Sequence, residues 1–107
     1  TMEFERSKVF SLTGSIDYSG GSVVSRMPVK KETGNITLFS FDKGQGLSEH
    51  SAPFDAFVLI TEGNAHVKIG GILNELTSGE FIIMPADIPH SIFAVEKFKM
   101  MLVMIKS

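Results

Sequence analysis

Short segments in which apolar and polar residues alternate follow one another along most of the chain. Ala65, Val67 and Ile69, for example, alternate with His66 and Lys68. A period of two places successive side chains on opposite faces of an extended backbone, which is typical of a half-buried β-strand. We therefore predict strands at residues 22–29, 35–41, 47–51, 56–61, 65–69, 72–76, 81–84, 91–95 and 98–105.

The segments between these strands carry the residues that favour turns. Glycine, proline and asparagine separate most neighbouring strands, and the Gly70-Gly71 pair between Ile69 and Ile72 is the clearest two-residue hairpin signal. No segment shows a convincing helical period of ten residues. Many short strands with frequent turns predict an all-β fold, either a sandwich or a barrel.

The first 21 residues have a weaker pattern than the remainder. Their apolar cluster is limited to Val9, Phe10 and Leu12, so we expect residues 1–21 to form an N-terminal arm or an edge strand. Residues 22–107 are expected to form the barrel itself. A chain of 107 residues has room for one domain with one small core.

Composition excludes several classes of function. The formal net charge of −2 provides no basic surface for nucleic acid, and the absence of cysteine excludes thiol catalysis. The apolar run from Met100 to Ile105 is far shorter than the roughly 20 residues of a membrane helix. Since the N-terminus also lacks the pattern of a signal peptide, we expect a cytoplasmic protein with no membrane partner.

One glycine-rich motif begins after the second predicted strand. Gly44, His50 and Gly63 are spaced as in the first motif of the cupin superfamily, which this chain resembles. That motif also carries a second histidine and a glutamate. Here Ala52 stands where the second histidine belongs, and Ala56 stands where the glutamate belongs.

A second motif lies fifteen residues further on. Gly79, Pro85 and His90 match the second cupin motif, whereas Asp87 replaces its second glycine and Ala94 replaces its asparagine. The resemblance covers roughly the last two-thirds of the chain. It implies a small jelly-roll β-barrel of the cupin type.

The resemblance also implies a metal site in the mouth of the barrel. In the family, imidazole and carboxylate ligands suit zinc, iron, nickel or manganese and leave open positions on the ion. This chain keeps His50 and His90 as metal ligands, so we expect a divalent transition metal to be held weakly. Without a metal, the two imidazoles could serve as an acid-base pair or simply line the barrel mouth.

Asp55 and Glu49 are possible additional ligands. Each lies one residue from a ligand position of the motif, so regular alternation points it to the other face, and a β-bulge near Pro53 would reverse this. Solvated carboxylates at the barrel rim are the alternative. His66 shares the polar face of its strand with Lys68 and is expected to point outward.

Ala52, Ala56 and Met84 are expected to line the pocket. The phenylalanines and methionines of the barrel either line an apolar ligand cavity or, as we favour, fill the core: Phe54, Phe57, Phe81, Phe93, Met84, Met100 and Met104. The resulting hypothesis is a stand-alone cupin that binds a small organic ligand. The alternative is a metal-dependent enzyme of the oxygenase, isomerase or lyase type.

Self-association is expected as well. Cupins are mostly dimers, and the strand at 35–41 carries apolar residues on both faces. We therefore predict a homodimer in which the N-terminal strands form a two-fold interface.

Overall fold

A computed structural model describes residues 4–106, so the first three residues of the predicted arm and the last residue of the predicted barrel lie outside the described residues. Over this range the fold is built from strands, with a single 3-10 turn at Thr13–Ser15. The predicted strands are confirmed to within a few residues: β1 (Val23–Lys31), β2 (Gly34–Phe41), β3 (Gly46–His50), β4 (Ala56–Glu62), β5 (Asn64–Ile69), β6 (Ile72–Thr77), β7 (Phe81–Met84), β8 (His90–Phe93) and β9 (Phe98–Ile105).

The strands form two antiparallel sheets that pack face to face as a flattened β-barrel, in which neither sheet is closed. The five-stranded sheet has the order β1-β2-β9-β4-β7, and the four-stranded sheet has the order β3-β8-β5-β6. The predicted all-β fold of the cupin type is confirmed by this architecture. Among residues 4–106, no helix is long and apolar enough to cross a membrane.

The core lies between the two sheets. Its side chains come from alternate positions of each strand, as the sequence pattern predicts: Phe41, Ala56, Val58, Ile60, Met84, Phe98 and Met100 from the five-stranded sheet, and Ala65, Val67, Leu76 and Ile92 from the four-stranded sheet. The rings of Phe41 and Phe98 stack in this core with their centroids 4.6 Å apart. Alternation along the strands therefore determines which side chains face the interior of the barrel.

The predicted hairpin at Gly70-Gly71 joins β5 to β6. Ile69 pairs with Ile72, and the two glycines have φ angles of 56° and 83°. Two successive residues with positive φ are the requirement of a type I′ turn, which is why glycine occupies both positions. This turn connects β5, which pairs with β8, to the edge strand β6 of the four-stranded sheet.

The N-terminal segment packs on the outer face of the five-stranded sheet. Phe4 and Ile16 form a second apolar cluster with Leu38 of β2, and Val24 and Met101 pack against it. On the same face the buried Lys99 donates a hydrogen bond from Nζ to the carbonyl of Thr13 at 2.7 Å. Much of the second apolar face of β2 is therefore covered within the chain itself.

Candidate functional site

Two histidines meet at one end of the four-stranded sheet. His50 is the last residue of β3, His90 is the first residue of β8, and the two are paired across the ladder. Their Nε2 atoms lie 3.2 Å apart, with ring planes at 71° to each other. His90 is only 5% exposed, whereas His50 is exposed. His90 therefore lies in the barrel interior, and His50 lies at the barrel mouth.

A β-bulge brings the two rings together. Leu47 pairs with Ile92 and His50 pairs with His90, so three steps along β3 match two steps along β8. Strict alternation would send Leu47 and His50 to opposite faces, but the extra residue of a bulge restores them to the same face. This bulge lies before His50 and turns His50 inward, at a different place from the bulge near Pro53 that would turn Glu49 or Asp55 inward.

On each imidazole ring, the second nitrogen, Nδ1, contacts a backbone carbonyl. Nδ1 of His50 lies 2.8 Å from the carbonyl oxygen of Ser48, and Nδ1 of His90 lies 3.3 Å from that of Ile88. Because a carbonyl oxygen only accepts, each Nδ1 carries the hydrogen and donates it. A neutral ring held in this way presents an unprotonated Nε2. Two such lone pairs at 3.2 Å repel each other unless a proton or a metal ion lies between them.

The surroundings of His90 oppose its protonation. Burial lowers the pKa of His90 below its usual value, and repulsion from a charge on His50 lowers it further, while the hydrogen bond to Ile88 acts in the opposite direction. A ring kept neutral retains the lone pair that a metal ion or a hydrogen-bond donor of a ligand requires. The electrostatics of the site therefore favour the metal-binding form of His90.

The loops that adjoin the histidines are tied to each other. Residues 51–55 follow His50 and residues 85–89 precede His90. The amide of Asp87 donates to the carbonyl of Ala52 at 2.7 Å, and the amide of Ala86 donates to Oδ1 of Asp55 at 2.9 Å. Asp55 therefore braces the mouth of the barrel.

The structure explains one departure from the second cupin motif. Asp87, which stands where the motif has a glycine, has a φ angle of 66°. Glycine adopts this left-handed region freely, and aspartate and asparagine tolerate it better than most other residues. The substitution thus preserves the bend that leads into His90.

The predicted additional ligands do not converge on the pair. Glu49 is exposed, and Asp55 binds the Ala86 amide. Nowhere between residues 4 and 106 do three or more histidine, aspartate or glutamate side chains come close enough to hold an ion. Any ion at the pair would take two protein ligands, with water or an organic ligand completing its shell.

The two nitrogens do fit one metal ion. With metal-nitrogen bonds of about 2.0–2.1 Å, two ligands at octahedral or tetrahedral angles are separated by roughly 2.9–3.4 Å. The 3.2 Å between the Nε2 atoms of His50 and His90 lies within that range. Donation of the second ring nitrogen to a carbonyl is also the usual way in which metal-ligating histidines are oriented.

The three predicted pocket residues differ in burial. Ala56 and Met84 are paired between β4 and β7, and both are almost completely buried in the core between the sheets. Ala52 is half-buried in the loop after His50. Alanine at positions 52 and 56 lacks the ligating atoms that the motif has there.

Several aromatic candidates point away from the interior. Phe81 and Phe93 are 57% and 48% exposed, and Phe57 stacks on Phe81 at 4.6 Å between ring centroids. They neither fill the core nor line a cavity inside the barrel, because alternation places them on the outer faces of their strands. Met84 and Met100 are buried in the core, which confirms the core interpretation for these two residues.

His66 lies apart from this pair, on the outer face predicted for it. Its Nε2 lies 3.4 Å from Oε1 of Glu75, which is the residue opposite on β6. Sequence reasoning did not identify the carbonyls of Ser48 and Ile88, although they orient the rings. Backbone groups carry no residue-type signal, and the bulge that positions Ser48 is itself invisible in the sequence.

The fold and the site together define a small cupin domain. The family model described as the cupin domain matches residues 37–106, and the chain belongs to that family. No curated protein matches the sequence. The match covers the strands that carry both histidines of the pair.

Solved structures support this assignment. A conserved protein of unknown function from Streptococcus pyogenes is 40% identical, with a TM-score of 0.92 over 97% of this chain and 91% of the other. A cupin 2 conserved barrel domain protein from Leptotrichia buccalis is 36% identical, with a TM-score of 0.88 over 91% of this chain and 47% of the other. A cupin superfamily protein from Desulfitobacterium hafniense, at 24% identity, has a TM-score of 0.90 over 97% and 95% of the two chains and shows the fold alone.

Proposed function

We propose that this cupin binds a small organic ligand in the barrel mouth, together with a weakly held divalent transition metal such as zinc, iron, nickel or manganese. The observation that supports the proposal is the convergence of the His50 and His90 Nε2 atoms, each on a ring oriented by a backbone carbonyl. A divalent cation bound there would act as a Lewis acid toward an oxygen of the ligand.

The two alanines at ligand positions of the motif support a role for the ligand in completing the site. With Ala52 and Ala56 in place of two donors of the motif, an ion held by His50 and His90 would keep open coordination positions. A ligand with carboxylate or hydroxyl oxygens would supply the missing donors. Metal and ligand would then bind cooperatively, since each completes the surroundings of the other.

Metal titration of untagged, metal-free protein tests the proposal. We expect zinc or nickel to bind at one ion per chain and to raise the melting temperature, because an ion that binds the native state stabilises it. His50→Ala and His90→Ala should each weaken binding by on the order of 100-fold or more, since only one ligand remains. His66→Ala is the matched control and should bind like the unaltered protein.

Two results would contradict the metal part of the proposal. One is the failure of the unaltered protein to bind any of the four metals. The other is an equal loss of binding in His66→Ala, because that would assign the ions to surface histidines. Isothermal titration with simple hydroxy acids, run with and without bound metal, separately tests whether the ligand completes the shell.

A metal-dependent enzyme is the alternative, and it uses the same two imidazoles. Turnover of an oxygen-containing small molecule that disappears in both His50→Ala and His90→Ala, with folding intact, would establish it. Binding of the same molecule without turnover would support the binding protein.

The proposal also includes a homodimer. Exposed apolar side chains remain on the outer face of the five-stranded sheet, where Phe81, Ile83 and Ile105 are each more than half exposed. Clustered apolar surface of this kind marks protein interfaces.

A further inference from the structure

The outer face of the five-stranded sheet is divided into two halves. The N-terminal segment covers the half formed by β1, β2 and part of β9, where Phe4 and Ile16 pack on Leu38. The other half, formed by β9, β4 and the edge strand β7, carries aligned rows of large apolar side chains. We call this second half the open face: Leu59 and Phe81 in one row, and Phe57, Val103 and Ile83 in the next, with Ile105 beside them.

We infer that the open face is where a second copy of this chain packs, about a two-fold axis. The inference rests on the homodimer proposed above and adds the surface that forms it. It also replaces the N-terminal strands as the expected interface, because the arm already covers much of the outer face of β2.

The first argument is shape. The open face carries a cleft of about 520 Å³, and seven of its eight lining residues are apolar, including Phe54, Phe57, Ile83 and Val103. Beside the cleft stands Phe81, which is 57% exposed and is not among the lining residues. A surface that carries both a projecting ridge and a cleft of the same chemistry can be complementary to itself, as a two-fold contact requires.

The second argument is charge. Among the described residues that line the cleft, Asp55 is the only ionisable one, and one of its carboxylate oxygens already accepts a hydrogen bond from the Ala86 amide. Two identical faces with many charges would repel at several points of a two-fold contact. A nearly uncharged face avoids this cost and suits association with its own copy.

The third argument is area. Phe81, Ile83 and Ile105 are 57%, 53% and 63% exposed, and several partly buried neighbours on the open face add to the apolar surface. Together these side chains present roughly 450 Å² of apolar surface, estimated from typical side-chain areas. With a polar rim in the usual proportion, the contact would cover about 700 Å² per chain, close to the roughly 800 Å² of a standard interface. A small molecule in the cleft would leave Phe81 exposed, whereas a second copy would cover it.

Sedimentation equilibrium of the full chain tests this inference. The unaltered protein should sediment at twice the 11.7 kDa mass of the chain. Phe81→Glu and Ile83→Glu should each raise the dimer dissociation constant by on the order of 100-fold, because each places a charge within the apolar contact. Since both side chains are more than half exposed, both variants should fold and should bind metal as the unaltered protein does.

The matched control lies on the other sheet. Ile72 of β6 is 69% exposed and equally apolar, so Ile72→Glu should remain a dimer. Covalent trapping gives a second readout, because the chain has no cysteine of its own. Mild oxidation should produce disulfide-linked dimers from at least one of Phe81→Cys, Ile83→Cys and Ile105→Cys, and none from Ile72→Cys.

The outcomes separate the interface from the homodimer. A dimer that persists in both glutamate variants would overturn the interface while leaving the homodimer in place. A monomer at every concentration tested would overturn both and would leave the open face to a small ligand or a different protein. Dissociation by Ile72→Glu would assign the contact to the four-stranded sheet and would also overturn the inference.

Discussion

The two faces of the four-stranded sheet both carry histidine, with opposite consequences. On the inner face, His50 and His90 converge on each other, and backbone carbonyls fix both rings. On the outer face, His66 contacts Glu75, whose side chain is 72% exposed. The contrast teaches that strand alternation and one bulge decide whether an imidazole can act as a ligand. Residue type alone does not.

The largest effect should come from restoring a donor at the inner site. Ala52→His supplies the second histidine of the first cupin motif in the half-buried loop after His50. A third imidazole should raise the affinity for zinc or nickel by on the order of 100-fold. Competition with a coloured chelator measures this change.

The control for this gain is Ser51→His. It adds an imidazole at the neighbouring exposed position, which is not a ligand position of the motif. Equal gains in the two variants would mean that any added histidine near the rim binds metal. The inner-face geometry would then not be what selects the ion.

A smaller effect is expected at the brace between the two loops. Asp55→Ala removes the acceptor of the Ala86 amide and should lower the free energy of unfolding by about 1 kcal/mol, the usual contribution of one hydrogen bond. Asp55→Asn keeps an acceptor oxygen and should lose less. Urea denaturation of the metal-free proteins provides the measurement.

The same pair of variants distinguishes a brace from a ligand. If Asp55 only supports the loops, zinc affinity should change less in Asp55→Asn than in His50→Ala. A loss of affinity in Asp55→Asn as large as that in His50→Ala would make Asp55 a ligand, as the sequence allowed. The inner face would then carry three protein ligands, with Asp55 added to the two histidines.

The strands and the core could be predicted because their signals are local. Alternation placed Ala65, Val67 and Ile69 inward, and the Gly70-Gly71 pair located a hairpin that the structure confirms. Both features depend on residues only a few positions apart. The motif spacing likewise located His50 and His90, and the structure places them together.

The details of the site depend on pairing between distant segments, which a local pattern does not contain. The bulge between Leu47 and His50 exists only relative to β8, and alternation within β3 alone would point His50 outward. Packing of the N-terminal segment on the five-stranded sheet also depends on distant segments. Phe4 contacts Leu38 of β2, and Thr13 contacts Lys99 of β9. The sequence therefore predicted the elements better than the surfaces on which they pack.

The smallest effect should come from the outer face. Glu75→Gln removes the carboxylate that lies 3.4 Å from His66 and should change the free energy of unfolding by less than about 0.5 kcal/mol, because exposed ion pairs contribute little. The difference should shrink in high salt, because dissolved ions screen exposed charges. Urea denaturation at low and high salt measures it, and metal affinity should stay unchanged. A loss of metal binding in this variant would mean that the outer histidine contributes to the site after all, and the contrast between the two faces would fail.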